Sequence, residues 1–99
     1  MGTKIKDLKL HMQNVTVIAR VVSKSQVSEI RMKKYAQTMV EDETDQIKLN
    51  LWRNQVSQVG EGDLIKIRNA FVHFRGREKQ LSTWSNIEKV SHKDLSNSS

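Results

Sequence analysis

The chain has 99 residues, enough for one domain with a single core and too few for two. It contains no cysteine, which excludes disulfides, zinc–thiolate sites and thiol nucleophiles. Lys and Arg number 17 against 11 Asp and Glu, a formal net charge of +6, and the two Trp, two Phe and one Tyr leave the core to aliphatic side chains.

The charge pattern argues against a secreted or membrane protein. The stretch after Met1, GTKIKDLK, is charged, unlike the apolar centre of a signal peptide. No apolar run approaches the roughly 18 residues of a membrane-spanning helix. We therefore expect a small, soluble, basic and intracellular binding module with no membrane partner.

The first half of the chain has the periodicity of β-strands. Residues 15–24 are rich in β-branched side chains and are predicted to form the first strand. Residues 26–34 have little pattern, which indicates a long hairpin loop. A second strand is predicted over 35–41, followed by an acidic turn at 42–45. Residues 46–52 alternate strictly between apolar and polar side chains and are predicted to form the third strand.

After Trp52 the pattern changes. Residues 54–59 have room for one or two helical turns, ended by a glycine turn at 60–63. Strand periodicity resumes over 64–74, but the apolar phase slips by one position at Asn69-Ala70. One extra residue in a strand is typical of a β-bulge, which bends strands in small barrels.

The remaining segments complete a barrel. A hairpin tip is predicted at 75–77 and a last strand over 78–87, while Ile5, Leu8 and Met12 are expected to cap an open end. Five strands with a short helical segment between the third and fourth match the OB-fold, an all-β five-stranded Greek-key barrel. The predicted organisation is an OB-fold domain over 1–90 and a flexible polar tail over 91–99.

The alternation places aromatic side chains on a polar strand face. Trp52 shares its face with Lys48 and Asn50, and Phe71 falls outward with His73 after the bulge. Cations interleaved with aromatic rings suit single-stranded nucleic acid, because the cations follow phosphates and the rings stack on bases. Each stacked base contributes about 1–3 kcal/mol with little sequence preference.

The other aromatic positions are less clear from the pattern. Trp84 is out of phase with the apolar positions of the last strand, whereas the phase after the bulge points Phe74 inward with Ala70 and Val72. Whether Trp84 and Tyr35 are exposed for binding or cover the barrel ends stays open at this point.

The cations are concentrated in two hairpins that flank the binding face of an OB barrel. Residues 64–79 hold five cations and one acid, and residues 26–34 hold three cations and one acid. The residues predicted to contact or attract phosphates are Arg31, Lys33, Lys34, Lys48, Lys66, Arg68, Arg75 and Arg77.

No motif supports an enzyme or a metal site. The acidic run at 41–45 lacks the glycine and distal glutamate of a calcium loop, and is predicted to be a turn that repels like-charged chains. His11, His73 and His92 lack metal-ligand spacing, and neither a catalytic triad signature nor a glycine-rich phosphate loop occurs. We therefore expect no cofactor and no catalytic residues.

Several stretches resemble a known family. They are IKDLKLHMQNVTVIARV, VEDETDQIKLNLW, VGEGDLIKIRNAF, FRG and QL, and they cover residues 5 to about 88. The chain resembles the archaeal single-stranded DNA-binding proteins with one OB-fold, relatives of replication protein A and of eukaryotic sensors of single-stranded DNA. The Asn/Asp-Gly turn common in the family's first hairpin is absent here, where Lys33-Lys34-Tyr35 stands.

The resemblance implies roles for individual residues. In the family, the aromatic residue that ends the third strand and the one that follows Asn-Ala stack on bases, and these positions are Trp52 and Phe71 here. A third family aromatic precedes the hairpin tip and matches Phe74, so the resemblance favours exposure where the phase does not. With Trp84 added from its phase, the predicted base-stacking residues are Trp52, Phe71, Phe74 and Trp84.

The predicted function is sequence-tolerant binding of single-stranded DNA, protecting it during replication, recombination and repair. We expect a monomer located in the cytoplasm at the nucleoid, with replication or repair proteins as further partners. Two alternatives stay open. One is an OB domain that binds RNA or tRNA, since stacking and basic loops do not distinguish the two sugars. The other is a protein-interaction subunit of a DNA-repair complex.

Overall fold

The computed structural model describes residues 2–90, so the tail predicted at 91–99 lies outside the described residues. Residues 2–90 form seven strands, one 3₁₀ turn and one short helix. In chain order these are the 3₁₀ turn Ile5–Asp7, β1 Val15–Lys24, β2 Ser28–Ile30, β3 Lys33–Glu41, β4 Gln46–Trp52, α1 Gln55–Gln58, β5 Leu64–Arg75, β6 Glu78–Thr83 and β7 Glu88–Lys89. None of the helical segments in residues 2–90 is long and apolar enough to cross a membrane.

Five of the strands close into a ring in the order β1-β3-β4-β6-β5, and β5 pairs back onto β1. All these pairings are antiparallel except β4 with β6, where Lys48 faces Gln80 and Leu49 faces Leu81. The all-β barrel, with α1 between β4 and β5, confirms the predicted OB arrangement.

The predicted bulge in β5 is present. Val15 faces Ala70 while Val17 faces Ile67, so β5 has one more residue than β1 between these pairs. Asn69 adopts a left-handed backbone with φ of 53° within this irregularity. Ala70 and Val72 are buried after the bulge, as the shifted phase predicts.

The first hairpin is more regular than the predicted loop. Residues 28–30 form β2, which pairs with the start of β3 through Ile30 opposite Lys33. The two residues between them, Arg31 and Met32, both have positive φ (51° and 66°), as a type I′ turn requires. The loop prediction was wrong here because β2 is exposed on both faces and therefore carries no alternation.

The last strand is shorter than predicted. β6 ends at Thr83 instead of residue 87, and the chain turns so that the N–H of Ser85 donates to Thr83 Oγ1 at 3.1 Å. Pairing resumes only in β7, where Glu88 and Lys89 face β5. This turn carries Trp84 out of the sheet.

The core is aliphatic, and no aromatic residue belongs to the buried apolar set within residues 2–90. Its largest fully buried side chains include alternate positions of β4 and β5, with Leu81 from β6. Ile5 and Leu8 close one barrel end, beside the β3–β4 turn, and Met12 packs against the same core, as predicted. Val56 of α1 is buried at the opposite end of β4.

Candidate nucleic-acid interface

The outer face of β3, β4 and β6 carries a row of amide side chains, which we call the amide row: Gln37, Asn50 and Gln80. Gln37 lies opposite Asn50, and Gln80 is on the parallel neighbour of β4. Gln37 Nε2 donates to Asn50 Oδ1 at 3.1 Å, and Asn50 Nδ2 donates to Gln80 Oε1 at 2.9 Å. The row thus links three strands across the face.

This face is polar but not freely solvated. Asn50, Gln80 and Ser82 are 2%, 3% and 7% exposed, although their alternation predicts an outward direction. Ser82 Oγ lies 2.7 Å from His73 Nε2, which extends the hydrogen bonds onto β5. All buried side-chain polar atoms in residues 2–90 have a partner, so the floor of this face is internally satisfied.

Tyr35 and Trp52 form an aromatic pair at the β3–β4 end of the amide row. Their ring centroids are 4.5 Å apart with planes tilted by 49°. The Tyr35 hydroxyl donates to Asn50 Oδ1 at 2.6 Å and accepts a bond from Arg75 Nη1 at 3.3 Å. The Arg75 guanidinium lies 5.7 Å from the Tyr35 ring centroid, within cation–π range. Predicted residues Trp52 and Arg75 are therefore joined through Tyr35.

Phe71 and Trp84 form a second pair on the opposite side of the face. Their centroids are 5.6 Å apart with planes 29° from parallel, and Phe71 also lies 5.6 Å from His73. Trp84 is 86% exposed. An indole held against a second ring but open to solvent is suited to stacking on a planar ligand.

The two tryptophans line one groove of about 550 Å³, which we call the tryptophan groove. Gln55 lies buried in its wall and holds both sides together. Its Nε2 donates to the carbonyls of Thr83 and Ser85, both at 2.8 Å, and its Oε1 accepts from the Trp52 N–H at 3.1 Å. One amide from α1 therefore fixes the backbone beside each tryptophan.

A second groove, of about 480 Å³, adjoins the first and is the hairpin groove. Its lining includes four cations: Arg31, Lys33, Lys34 and Arg53. Lys33 and Arg53 also line the tryptophan groove, so the two spaces share a wall. Arg53 has a left-handed backbone (φ 55°) and its N–H donates to the Lys34 carbonyl at 2.9 Å.

Phe74 lies near the end of β5, before the hairpin tip. The phase places Phe74 on the strand side of Ala70 and Val72, but the burial that this implied is wrong, since Phe74 is 52% exposed. The β5–β6 hairpin extends beyond the closed barrel, so no core side chains cover the Phe74 ring there. Its exposure agrees with what the family resemblance implies.

The other predicted phosphate contacts are distributed over separate places. Lys48 lies on the amide-row face and pairs with Glu78 at 2.9 Å. Lys66 and Arg68 precede the bulge, on the half of β5 that pairs with β1 and β7, and Arg68 pairs with Glu88 at 3.3 Å. Arg77 is exposed at the β5–β6 hairpin tip. The structure thus joins Lys33 and Arg75 to aromatic rings, but puts Lys66 and Arg68 on another part of the barrel from Phe71.

Sequence reasoning missed three residues of this surface. Arg53 directly follows the strand-ending Trp52, and its charge was the available signal. Tyr35 gave an ambiguous signal, because its side chain is polar at one end and apolar at the other. Gln55 gave no signal, since a buried glutamine in a short helix looks like any polar surface residue. In residues 2–90 no three His, Asp or Glu side chains come together as a metal-binding group.

A closed OB barrel with aromatic rings and cations on one outer face defines the class of OB-fold modules for single-stranded nucleic acid. Residues 2–89 match the family model described as single-stranded DNA binding protein Ssb-like, OB fold. The protein belongs to this family.

Individual relatives agree with this assignment. The chain is 35% identical over 89 residues to the single-stranded DNA binding protein Ssb of Saccharolobus solfataricus, covering 86% of this chain and 60% of that protein's length. An OB domain from Thermoplasma acidophilum is 28% identical, with a TM-score of 0.76 over 90% of this chain and 86% of that one. A replication protein A domain from Methanococcus maripaludis shares the fold, with a TM-score of 0.79, 24% identity, and coverage of 92% and 97%.

Proposed function

We propose that this protein binds single-stranded DNA with little sequence preference by stacking bases and pairing phosphates. The observation that carries the proposal is the tryptophan groove, where Trp52 and Trp84 lie beside the cations Lys33 and Arg53. Bases stack on the rings, and the hairpin groove receives the phosphates between them.

The aromatic residues provide two sites for base stacking and one separate ring. Trp52, packed against Tyr35, forms the first site, and Trp84, packed against Phe71, forms the second. Phe74 is the separate ring, exposed at the β5–β6 hairpin on the side of β5 opposite to Phe71. Arg31, Lys34, Arg75 and Arg77 add phosphate contacts near these rings, while Lys66 and Arg68 attract the strand from a distance.

Low sequence preference follows from the amide row. Its buried donors and acceptors are already bonded within the protein, so no base edge is required to satisfy them. The aromatic rings accept every base, because every base has a π-face. In the cell this activity would cover strands exposed during replication, recombination and repair.

A titration of intrinsic fluorescence with oligo-dT tests the proposal. Both tryptophans of the chain line the tryptophan groove, so stacking should quench the emission. The apparent affinity should fall as salt rises, since phosphate pairing releases counterions. Unquenched emission without salt-sensitive binding would overturn the proposal.

Competition with a matched RNA oligomer separates DNA from RNA as the main ligand. Stacking and phosphate pairing serve both, and only contacts to the 2′-OH distinguish them. We expect oligo-dT to be displaced no more than weakly by equimolar oligo-U. Preferential binding of RNA would mean that RNA is the main ligand, bound at the same surface.

A further inference from the structure

Glu78 is the only acidic residue between positions 64 and 79, a stretch that also contains five cations. It is the first residue of β6, and alternation puts its side chain on the face of Gln80 and Ser82. Its Oε1 accepts hydrogen bonds from Lys48 Nζ at 2.9 Å and from Gln80 Nε2 at 3.1 Å. A carboxylate therefore occupies two donors on the proposed DNA-binding face.

Lys48 lies on the same strand and face as Trp52, about 13 Å away along β4. A DNA backbone that passes the tryptophan groove and crosses the amide row comes within reach of this ammonium. The phosphate offers the same chemistry as Glu78, namely anionic oxygens that accept hydrogen bonds from a cation. The two anions repel each other, so both cannot share Lys48 without cost.

We propose that Glu78 acts as an internal competitor of the DNA backbone, holding Lys48 until a phosphate displaces it. The inference rests on the proposed function and adds a regulating residue to the same site. By occupying Lys48, Glu78 lowers the affinity for single-stranded DNA. Affinity differences at one interface arise mostly from the dissociation rate, so Glu78 also speeds the release of DNA.

The competitor is charged under ordinary conditions. The hydrogen bond from Lys48, followed by that from Gln80, lowers the pKa of Glu78 below its usual value. The carboxylate therefore stays ionised at neutral pH. The side chains of Glu78 and Lys48 are 49% and 34% exposed, so solvent screens the pair and the expected effect is a moderate factor.

Glu78→Gln in the full chain tests the inference, with Glu88→Gln as the matched control. Both changes remove one negative charge from a half-exposed glutamate paired with a cation, but Glu88 pairs with Arg68 on the other half of β5. We expect Glu78→Gln to bind oligo-dT about three- to tenfold more tightly, and Glu88→Gln to stay within about twofold of the original chain. The slope of log affinity against log salt should steepen by about 0.7 in Glu78→Gln alone, because one more phosphate is neutralised.

A second variant ties the gain to Lys48. In the double variant Glu78→Gln/Lys48→Met, binding should be no tighter than in the original chain. An unchanged affinity in Glu78→Gln, an equal gain in Glu88→Gln, or a gain that survives loss of Lys48 would each overturn the inference. These results would leave the proposed function standing if the original chain still binds oligo-dT, whereas absence of that binding would overturn both.

Discussion

Trp52 and Trp84 line the same groove but depend on different supports. Trp52 is partly covered and lies against Tyr35, whose hydroxyl is fixed by Asn50. Trp84 lies in a turn after β6 and has Phe71 as its ring neighbour. Trp84 is therefore the more exposed ring, while Trp52 is the one whose ring neighbour is itself held by a hydrogen bond.

Truncating either ring should weaken DNA binding without unfolding the protein. Since neither tryptophan belongs to the core, we expect Trp52→Ala and Trp84→Ala each to lower the affinity for oligo-dT about tenfold, from the loss of one stacked base. Fluorescence anisotropy of labelled oligo-dT measures this in either variant. Trp→Phe at each position is the control and should retain most of the affinity. Wild-type affinity in both Ala variants would contradict the stacking role.

Asp42 organises the acidic turn between β3 and β4. Its Oδ1 accepts from the backbone N–H groups of Thr44 (2.7 Å) and Asp45 (3.1 Å), and its Oδ2 accepts from the Ile5 N–H at 2.9 Å. Desolvation alone would raise the pKa of Asp42, but the hydrogen bonds from Thr44, Ile5 and Asp45 together lower it. The turn thus fastens the N-terminal segment to the barrel.

Asp42→Asn should reduce stability at neutral pH and have less effect in acid. Asn keeps one acceptor oxygen but cannot accept from Ile5 with its NH₂, a loss of about 1 kcal/mol. Because the pKa of folded Asp42 lies below its unfolded value of about 3.9, its contribution is complete above that value and disappears as the pH falls through the folded pKa. Urea unfolding followed by circular dichroism at pH 7 and near pH 2 measures the difference. Asp45→Asn is the control, and an equal loss at both pH values would contradict the linkage.

Among the elements, α1 is short but connects two strands of the site. Gln55 bonds to the backbone at and just after the end of β6 and to the last residue of β4, so its four-residue helix connects the two sides of the tryptophan groove. Its buried position means that these bonds have no water to replace them.

Gln55→Ala should lower both stability and affinity, although Gln55 is not proposed to touch a phosphate. Losing its three hydrogen bonds leaves buried backbone groups unpaired, and we expect a cost of about 1–3 kcal/mol in the free energy of unfolding. Binding of oligo-dT should weaken severalfold at temperatures where the variant is still folded, because the tryptophans are less well held. Ser57→Ala, in the same helix, is the control with little expected change in stability. Full affinity in folded Gln55→Ala would contradict the role of Gln55 in positioning the two tryptophans.

The elements differ in how far the sequence predicts them. β4 and the bulge in β5 were predictable, because one side of each strand is buried against the core and the alternation is visible. β2 was not, since neither of its faces is buried, and the end of β6 was hidden because Gln80 and Ser82 are buried beside Leu81. The site was predictable where charge or aromaticity marks it, as at Trp52, and unpredictable where only tertiary hydrogen bonds do, as at Gln55.

Over the whole molecule, the cations differ in whether they pair with acidic residues or line a groove. Among the predicted phosphate contacts, Lys48 and Arg68 have acidic partners, whereas Arg31, Lys33 and Lys34 line the hairpin groove together with Arg53. We therefore expect the net charge of +6 to attract DNA generally and the hairpin groove to hold most of the contacts to the DNA backbone.

The salt dependence of binding should separate these two groups. Replacing Arg31, Lys33 or Arg53 by Ala should reduce the slope of log affinity against log salt by about 0.7 for each phosphate that is no longer neutralised. Lys66→Ala and Arg68→Ala remove the same charge from the other half of β5, so the slope should stay nearly unchanged. Titrations at several salt concentrations measure the slopes. Equal changes in both groups would mean that binding follows net charge alone.

Closure of the barrel by β1 against β5 brings together residues from opposite ends of the domain, with Val15 facing Ala70. Such a pairing closes a long loop, and the entropy of closing that loop is lost before the contacts repay it. The protein should accordingly fold slowly for its size, in roughly milliseconds to seconds. β3 and β4, joined by the Asp42 turn, are adjacent in the chain and are the natural place for folding to begin.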